Sequence, residues 1–503
     1  MKVVLAGYNV DRDVLEDLKR GSPGRLDVTP ETLSASYARI SRDPRPADEL
    51  RRAAREEVEK ARRSNQTIIF KMGHHSVAEH AVFNFDLIGL SRLAIEEVER
   101  FRLASFTEKS QRYITLRDDF VIPDEIAGSG PRGLFVETIL AQNALYHKLY
   151  GRLKPLIRDR NPGLAADPKK QSLLEGWAKE DARYAVSLAT EGQLGLTVNA
   201  RTLELMLRRF AAAPPAEVRD LGRRMYELAR EVAPSIILFT EATDFDAKTY
   251  KEMAAAAGES SGAPGTRASA GNGSGVGREE VRLLGFTPDG DDRILASILH
   301  SVSASSFLDC WKRVKSLSLR GKRSLFKRAF ERMEFYDFPL REFENADLTF
   351  ELVVSASVFA QLKRHRMATL TTQRYDPALG VTTPPSIAAV GMKREFADMI
   401  ARTEAAYAEL RQNAGPAADY ILTNAHRRRC LLKVNVRELY HIARLRQDGT
   451  AQWDIRRLAG KMSALARRIM PSACLLLGAK DAYPRLYERL FGRPPKLAPP
   501  AIN

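Results

Sequence analysis

Cysteine is scarce: Cys310, Cys430 and Cys474 are the only three in 503 residues. Odd in number and too far apart for a CxxC pair, they exclude a disulfide scaffold, argue against a structural zinc and read as reduced, mostly buried thiols. Long apolar runs are missing as well. No stretch of about eighteen apolar residues occurs, and the N-terminus, MKVVLAGYNVDRD, soon returns to charge. Neither a membrane helix nor a secretory signal is expected, and the expected compartment is the cytoplasm. Acidic residues are in deficit, 63 against 79 basic ones, for a formal charge of +16. An anionic partner follows, but a nucleic acid, a membrane surface and a phosphorylated small molecule would all satisfy that charge. With 44% hydrophobic and 28% charged residues, the composition is that of a soluble globular chain with room for about two to four domains.

Residues 254–278, AAAAGESSGAPGTRASAGNGSGVGR, hold too little apolar bulk to offset the entropy of ordering, and read as a linker. It separates a first domain, 1–253, from a second, 279–490, which a Pro-rich tail follows at 491–503. The halves match in order. VVLAGYNVDRDVL parallels VRLLGFTPDGDDRIL, and EHAVFNFDLIGLS (79–91) parallels ENADLTFELVVS (344–355). Both of the latter alternate, with Ala81, Phe83, Phe85 and Leu87, or Ala346, Leu348, Phe350 and Leu352, on one face of a half-buried strand. Each strand runs into a predicted amphipathic, arginine-rich helix, 91–105 or 356–369, and then a polar loop ending in Gln-Arg-Tyr at 111–113 or 373–375. VNARTLELMLRR (198–209) parallels VNVRELYHIARLR (434–446), and AEVRDLGRRM (216–225) parallels AQWDIRRLAGKM (451–462). Four ordered matches predict an internal duplication.

Within RFRLASFTEKSQRY (100–113), Arg100, Arg102 and Arg112 lie close to Ser105 and Ser110. Arginine donates in a planar fork and hydroxyls fill the remaining oxygens, so this cluster suits a phosphate or pyrophosphate; a solvated basic helix end has the same spacing. GHHSVAEH (73–80) sets His74, His75, Ser76, Glu79 and His80 ahead of the strand. His75 and His80 are five positions apart, not the single helical turn of a zinc HEXXH, which leaves a structural His/Glu network or a ligand-facing rim.

The strings GHHSVAEHAVFNFDLIGLSR, RFRLASFTEKSQRY, DARYAVSLAT and VNAR resemble, in order and spacing, the consecutive motifs of the flavin-dependent thymidylate synthases, including their signature RHRxxSxNxxSxR. The second half adds QLKRHRMATLTTQRY, VNVR and LRQDGTAQWDIR, so the resemblance covers most of both halves. It implies an α+β fold of two tandem thymidylate-synthase-complementing-protein-like domains, each an antiparallel sheet packed with long helices. It also implies FAD as cofactor, dUMP as substrate, NADPH and methylenetetrahydrofolate as co-substrates, and dTMP as product. The family is tetrameric with sites between subunits, which a duplicated chain would reach as a homodimer forming a pseudo-tetramer. The protein's own task would be to position the flavin against the pyrimidine and to hold anionic ligands.

By motif position, the resemblance assigns His74, Ser76, Arg100 and Arg102 to FAD, with Asn199 and Arg201 along the flavin. It assigns Glu108, Ser110, Arg112 and Arg183 to dUMP, with Ser110 and Arg112 as the catalytic pair. In the second half Arg364, His365, Arg366, Asn435, Arg437 and His441 fall to FAD, Gln361 to dUMP and Arg446 to the nucleotide phosphate. No metal is implied.

The departures matter equally. In the first half Phe101 replaces the middle histidine of RHR, Thr107 the signature asparagine and Glu97 the glutamine, and the phosphate arginine falls on or beside Arg209 and Phe210. In the second, Asn345 replaces the last histidine of GHxSxxEH, Thr372 matches Ser110, the stretch holding Glu108 is lost and Asp419 stands for Arg183. These losses are nearly complementary, which predicts one composite site drawing on both copies and one degenerate site. Two alternatives stand beside this. A catalytically inactive flavin- or nucleotide-binding paralogue is favoured by Glu97, a carboxylate near an anion. A nucleic-acid binder is favoured by the charge and the arginine run at 427–429, but interleaved aromatics and a recognition helix are missing.

Overall fold

The computed structural model describes residues 1–21, 28–128, 130–258 and 279–498. Each copy builds one four-stranded antiparallel sheet. In the first, β1 (Lys2–Tyr8), β2 (Val82–Ser91), β3 (Ala104–Glu108) and β4 (Glu191–Asn199) lie in the order β1-β2-β4-β3. In the second, β5 (Val281–Phe286), β6 (Asp347–Ser355), β7 (Thr369–Thr372) and β8 (Arg427–Asn435) repeat that order as β5-β6-β8-β7. Even the irregularity recurs: β1 slips against β2 between Leu5 and Gly7, and β5 against β6 between Leu283 and Gly285. An extra residue inserted at the same place in both copies is a feature inherited through the duplication.

The alternation read from the sequence places Phe83, Phe85 and Leu87 with Leu194, Leu196 and Val198 in one core. Leu348, Phe350 and Leu352 join Leu432 and Val434 in the other. Period two puts each set on one sheet face, where burial stabilises by about 1.5–3 kcal/mol per large side chain. The first strand starts at Val82 rather than at 79, because His75–His80 winds into a 3-10 turn before it.

The helices expected at 91–105 and 356–369 are much shorter, Arg92–Val98 and Ala356–Leu362. Each starts under a serine cap, Ser91 accepting from the Ala94 N–H and Ser355 from the Val358 N–H. Each then gives way to a turn and a strand, β3 or β7, whose backbone groups pair with β4 or β8. Helical periodicity over so short a run is a weak preference, and strand pairing outweighs it. The capping serines also tie each sheet to a later helix. Ser91 donates through N–H and Oγ to Glu217, both at 2.7 Å, on the helix Ala216–Val232. Ser355 Oγ donates to Asp454 Oδ2 at 3.0 Å on the helix Trp453–Ile469.

The chain forms two compact units, Met1–Ser269 with Thr383–Asn424, and Ala270–Thr382 with Ala425–Asn503. Within the first unit the second copy's helix Lys393–Ala414 packs on the first copy's long helix Arg132–Arg160. Phe135 and Ile139 share a core with Ala406, Leu410, Tyr420 and Ile421. Gln142 Nε2 donates to Thr403 Oγ1 at 2.9 Å and to the Ile421 carbonyl at 3.0 Å. Close by, the Leu188 N–H donates to the Leu422 carbonyl at 2.7 Å and the Asn424 N–H to the Val186 carbonyl at 2.9 Å, with Ser187 opposite Thr423. Counted back from VNAR and VNVR, Val186, Ser187 and Leu188 correspond to Leu422, Thr423 and Asn424. The two bonds are therefore one bond seen from each copy, a self-complementary contact about a local two-fold axis.

The second unit has its own core, in which Phe326, Phe330, Phe343, Phe350 and Tyr440 meet. All three cysteines are free and buried. The linker expected at 254–278 lies outside the described residues from 259 onward; before that, the helix Asp244–Ala256 runs into it. The tail expected at 491–503 lies outside them beyond 498. Among the described residues, no helix is long and apolar enough to cross a membrane.

Candidate active site

After β3 the first copy turns through Ser110–Arg112 against the helix Gln171–Ala182, where a Cβ on Gly176 would just touch the Arg112 carbonyl oxygen at 3.4 Å. Ser110 Oγ accepts the Arg112 N–H at 3.2 Å and so holds the turn. Arg112 Nε donates to Glu180 Oε2 at 2.6 Å. Burial pushes the Glu180 carboxyl up, against the pull of Arg112 and Arg183. Arg183 is 6% exposed, and its Nε and Nη2 meet no hydrogen-bond partner. Burial lowers its pKa, yet a guanidinium keeps its proton in proteins, so each unmet donor costs about 1–3 kcal/mol that an anion would offset.

The second copy closes this site from the other side. Asn424 Nδ2 donates to Gln111 Oε1 at 3.1 Å and to the Arg183 carbonyl at 3.0 Å. Asp181 accepts from Ser386 Oγ at 2.5 Å. Glu108 accepts from Arg92 Nη1 at 2.6 Å in a buried ion pair. Where the second copy has Asp419 for Arg183, the carboxylate is buried and accepts from the Tyr407 hydroxyl at 3.5 Å.

Of the first copy's flavin candidates, His74 and Ser76 are exposed at the turn before β2. Asn199 Oδ1 accepts the Thr202 N–H at 2.8 Å as a helix cap, and Arg201 pairs with Glu79 at 2.5 Å. The second copy repeats both contacts, Asn435 capping Glu438 at 2.8 Å and Arg437 pairing with Glu344 at 2.9 Å. The VNxR motif is thus a structural device as well as a candidate ligand surface. Arg100 is exposed and pairs with Glu97 at 2.7 Å, and Arg102 is exposed beside it.

Arg364 and Arg366 are exposed on either side of His365, which is buried. Arg446 Nε donates to His365 Nε2 at 2.9 Å, and His365 Nδ1 lies 3.3 Å from Glu438 Oε1. Burial and the Arg446 charge push the His365 imidazole down to about 3, so it is neutral near pH 7. Burial likewise raises Glu438 and lowers His441. Phe338 covers this end, its ring 5.5 Å from His441 and near the Arg437 and Arg444 guanidiniums at 5.6 and 5.7 Å. The first copy has Gly73 at the matching position, with φ +77°. Gln361 is buried, donating to the Ser357 carbonyl at 3.3 Å, and its Oε1 has no partner.

His365, Glu438 and His441 bring three potential metal-ligand atoms within 4.8 Å of one another. A guanidinium N–H can only donate, however, so His365 Nε2 is already occupied and Nδ1 keeps the proton. With the Arg437, Arg444 and Arg446 charges also acting on it, this set is poorly suited to a further cation. The run at 427–429 forms the start of β8, where all three arginines are half-buried and Arg428 sits 4.5 Å from the Phe359 ring and 4.2 Å from the Tyr375 ring. Sequence reasoning missed Glu180, Asn424 and Glu438. Glu180 and Glu438 had a local signal, one turn ahead of Arg183 and of His441, the latter on a helix capped by Asn435.

Residues 26–235 and 282–472 each match the family described as thymidylate synthase complementing protein. The flavin-dependent thymidylate synthase of Clostridium tetani is 29% identical over 214 residues, 42% of this chain and 82% of that protein. That of Geobacter sulfurreducens is 31% identical over 215 residues, 41% of this chain and 80% of that protein. Among solved structures, ThyX from Helicobacter pylori complexed with FAD and dUMP is 18% identical, with a TM-score of 0.30, covering 48% of this chain and 100% of that one. The UMP/dUMP methylase PolB from Streptomyces cacaoi, bound with 5-Br dUMP, is also 18% identical, with a TM-score of 0.33, covering 47% of this chain and 92% of that one. With the family matched twice and the sheet topology repeated, the chain belongs to the thymidylate synthase complementing proteins and carries their domain in two tandem copies.

Proposed function

We propose that this chain is a flavin-dependent thymidylate synthase. It would bind FAD and dUMP, take hydride from NADPH and a one-carbon unit from methylenetetrahydrofolate, and release dTMP. The first copy would supply the nucleotide loop, Ser110 and Arg112, with Arg183; the second would supply Gln361, the Arg364, His365 and Arg366 turn, and Arg446. The observation that carries this reading is Arg183, a buried cation with two unmet donors, next to a serine-arginine turn and opposed by Asp419 at the matching place in the other copy. Only one of the two pseudo-equivalent positions is built to receive an anion. The exposed guanidiniums of Arg100, Arg102, Arg364 and Arg366 fit the pyrophosphate of FAD in donor chemistry. The chemistry the flavin supplies when bound is hydride transfer, and the protein's part is to orient the pyrimidine and exclude water.

The test is the visible spectrum of the protein after incubation with FAD and removal of the free cofactor. Retained oxidised flavin at no more than one equivalent per chain, perturbed by dUMP, followed by dTMP formation with both co-substrates, is the expected result. Failure to retain flavin at any concentration would sink the proposal. A second reading, a flavin- or nucleotide-binding paralogue without methylation, is favoured by the Arg112–Glu180 and Arg92–Glu108 pairs, which already engage residues of the nucleotide loop. Flavin and dUMP binding without any dTMP would select it.

A further inference from the structure

The two copies diverge most beneath the arginine turn. In the first, Phe101 packs edge-on against Phe210 with ring centroids 5.8 Å apart. Gly222 makes the room, since a Cβ there would lie 2.9 Å from Phe210 Cβ. At the matching positions the second copy has His365, Arg446 and Ala459, with Glu438 in place of Thr202 and His441 in place of Leu205. An aromatic pair in one copy has become a polar chain in the other: Glu438 to His365, and His365 to Arg446. The first copy shows that the fold does not need polar groups there. Buried polar chains of this kind contribute little net stability compared with apolar packing, which directs attention to what the chain of contacts orients.

Arg446 Nε can only donate, so His365 Nε2 must accept and the ring proton sits on Nδ1. Nδ1 faces Glu438 Oε1 at 3.3 Å, an ion-pair distance without hydrogen-bond alignment; both atoms are buried, and neither makes a hydrogen bond elsewhere. We infer that Glu438 is a positioning residue that holds His365 in its Nδ1–H tautomer, and through it turns the Arg446 guanidinium toward an anionic phosphoryl ligand. The inference rests on the nucleotide-binding reading above. A guanidinium grips a phosphoryl group through two donors on one edge of a plane. Anchoring Nε on the imidazole selects which edge is presented, and a ring with the other tautomer would set N–H against N–H and turn the arginine away. Nothing in the apolar Phe101–Phe210 pair could perform this task, which matches the loss of the phosphate arginine from the first copy.

The full-length chain is titrated calorimetrically with dUMP, and nitrogen-15 spectra of its histidines are recorded without ligand. In the spectra, His365, identified by its loss in His365→Asn, should show a protonated Nδ1 and an unprotonated Nε2. Glu438→Ala should weaken dUMP binding about tenfold, the size of one hydrogen bond to a charged group, and should disturb that signature. Glu438→Gln should recover most of both, because an amide oxygen still accepts from Nδ1–H. Glu438→Thr, the first copy's residue, replaces Glu438→Ala if the latter fails to fold. A protonated Nε2 in the unaltered protein, Glu438→Ala binding dUMP as tightly as the parent, or Glu438→Gln binding as weakly as Glu438→Ala would each overturn the inference. If the unaltered protein binds no dUMP, the nucleotide reading falls by itself, and the His365 tautomer still upholds or overturns the relay.

Discussion

Burial works against the charge that Arg183 keeps, and it holds His365 in its neutral form. For Arg183, burial with unmet donors works against stability, so replacing it with an apolar group of similar length removes a cost while removing a ligand. Arg183→Met should leave the thermal midpoint unchanged or raised, and should weaken dUMP binding by about 1.5–3 kcal/mol, as measured by calorimetry. A clear fall in the midpoint would mean that the arginine is satisfied within the fold. For His365, the folded pKa of about 3 lies below the 6.5 of the free ring. The unfolded chain therefore takes up the proton first, and the stability carried by the neutral ring is whole above pH 6.5 and lost between there and about 3. The slope is at most about 1.4 kcal/mol per pH unit. His365→Phe, which copies the first half, should flatten urea-midpoint profiles between pH 6.5 and 4; an unchanged slope would place that titration elsewhere. At this scale the sequence displayed Arg183 and His365 through their motifs. It did not display Asn424, which comes from the other copy, or the Arg112–Glu180 pair, whose members are 68 positions apart.

At the scale of elements, the serine that ends each long strand does two things. Ser91 caps its helix and gives two hydrogen bonds to Glu217, a carboxyl that burial pushes up. Ser91→Ala removes the cap and one of the donors, and should cost about 1–3 kcal/mol in chemical denaturation. Ser355→Ala should cost less, because Asp454 keeps the Arg457 cation at 2.9 Å, whereas Glu217 keeps only the neutral Tyr420 hydroxyl and the Ser91 N–H. Equal losses at the two sites would argue that the cap alone matters. The strands β2 and β6 were legible from their alternation, and so was the onset of each following helix. Where those helices stop was not: residues 104–108 follow arginines at helical spacing, but their backbone groups find partners on β4.

At the scale of the whole molecule, the repeated sheet order and the repeated bulge follow from the duplication that four motif pairs had revealed. The contact between copies did not follow from it. Phe135, Ile139, Leu410 and Tyr420 share one core, so a chain cut at a protease site inserted in 259–278 should elute from a sizing column as one species under native conditions. Separate elution of the two fragments would mean that this core cannot hold the copies together without the covalent link.

The sequence by itself determined the number of copies, the strand faces and the set of charged side chains available for a nucleotide and a flavin. These depend on local periodicity and on residue chemistry, which a string of letters carries. Only the tertiary structure decided that Arg183 is buried short of partners, that Asn424 of one copy meets Gln111 of the other, and that Glu438, His365 and Arg446 form a chain where the first copy packs two phenylalanines. Burial and hydrogen-bond satisfaction are properties of neighbours brought together from distant segments, and no spacing along one segment encodes them.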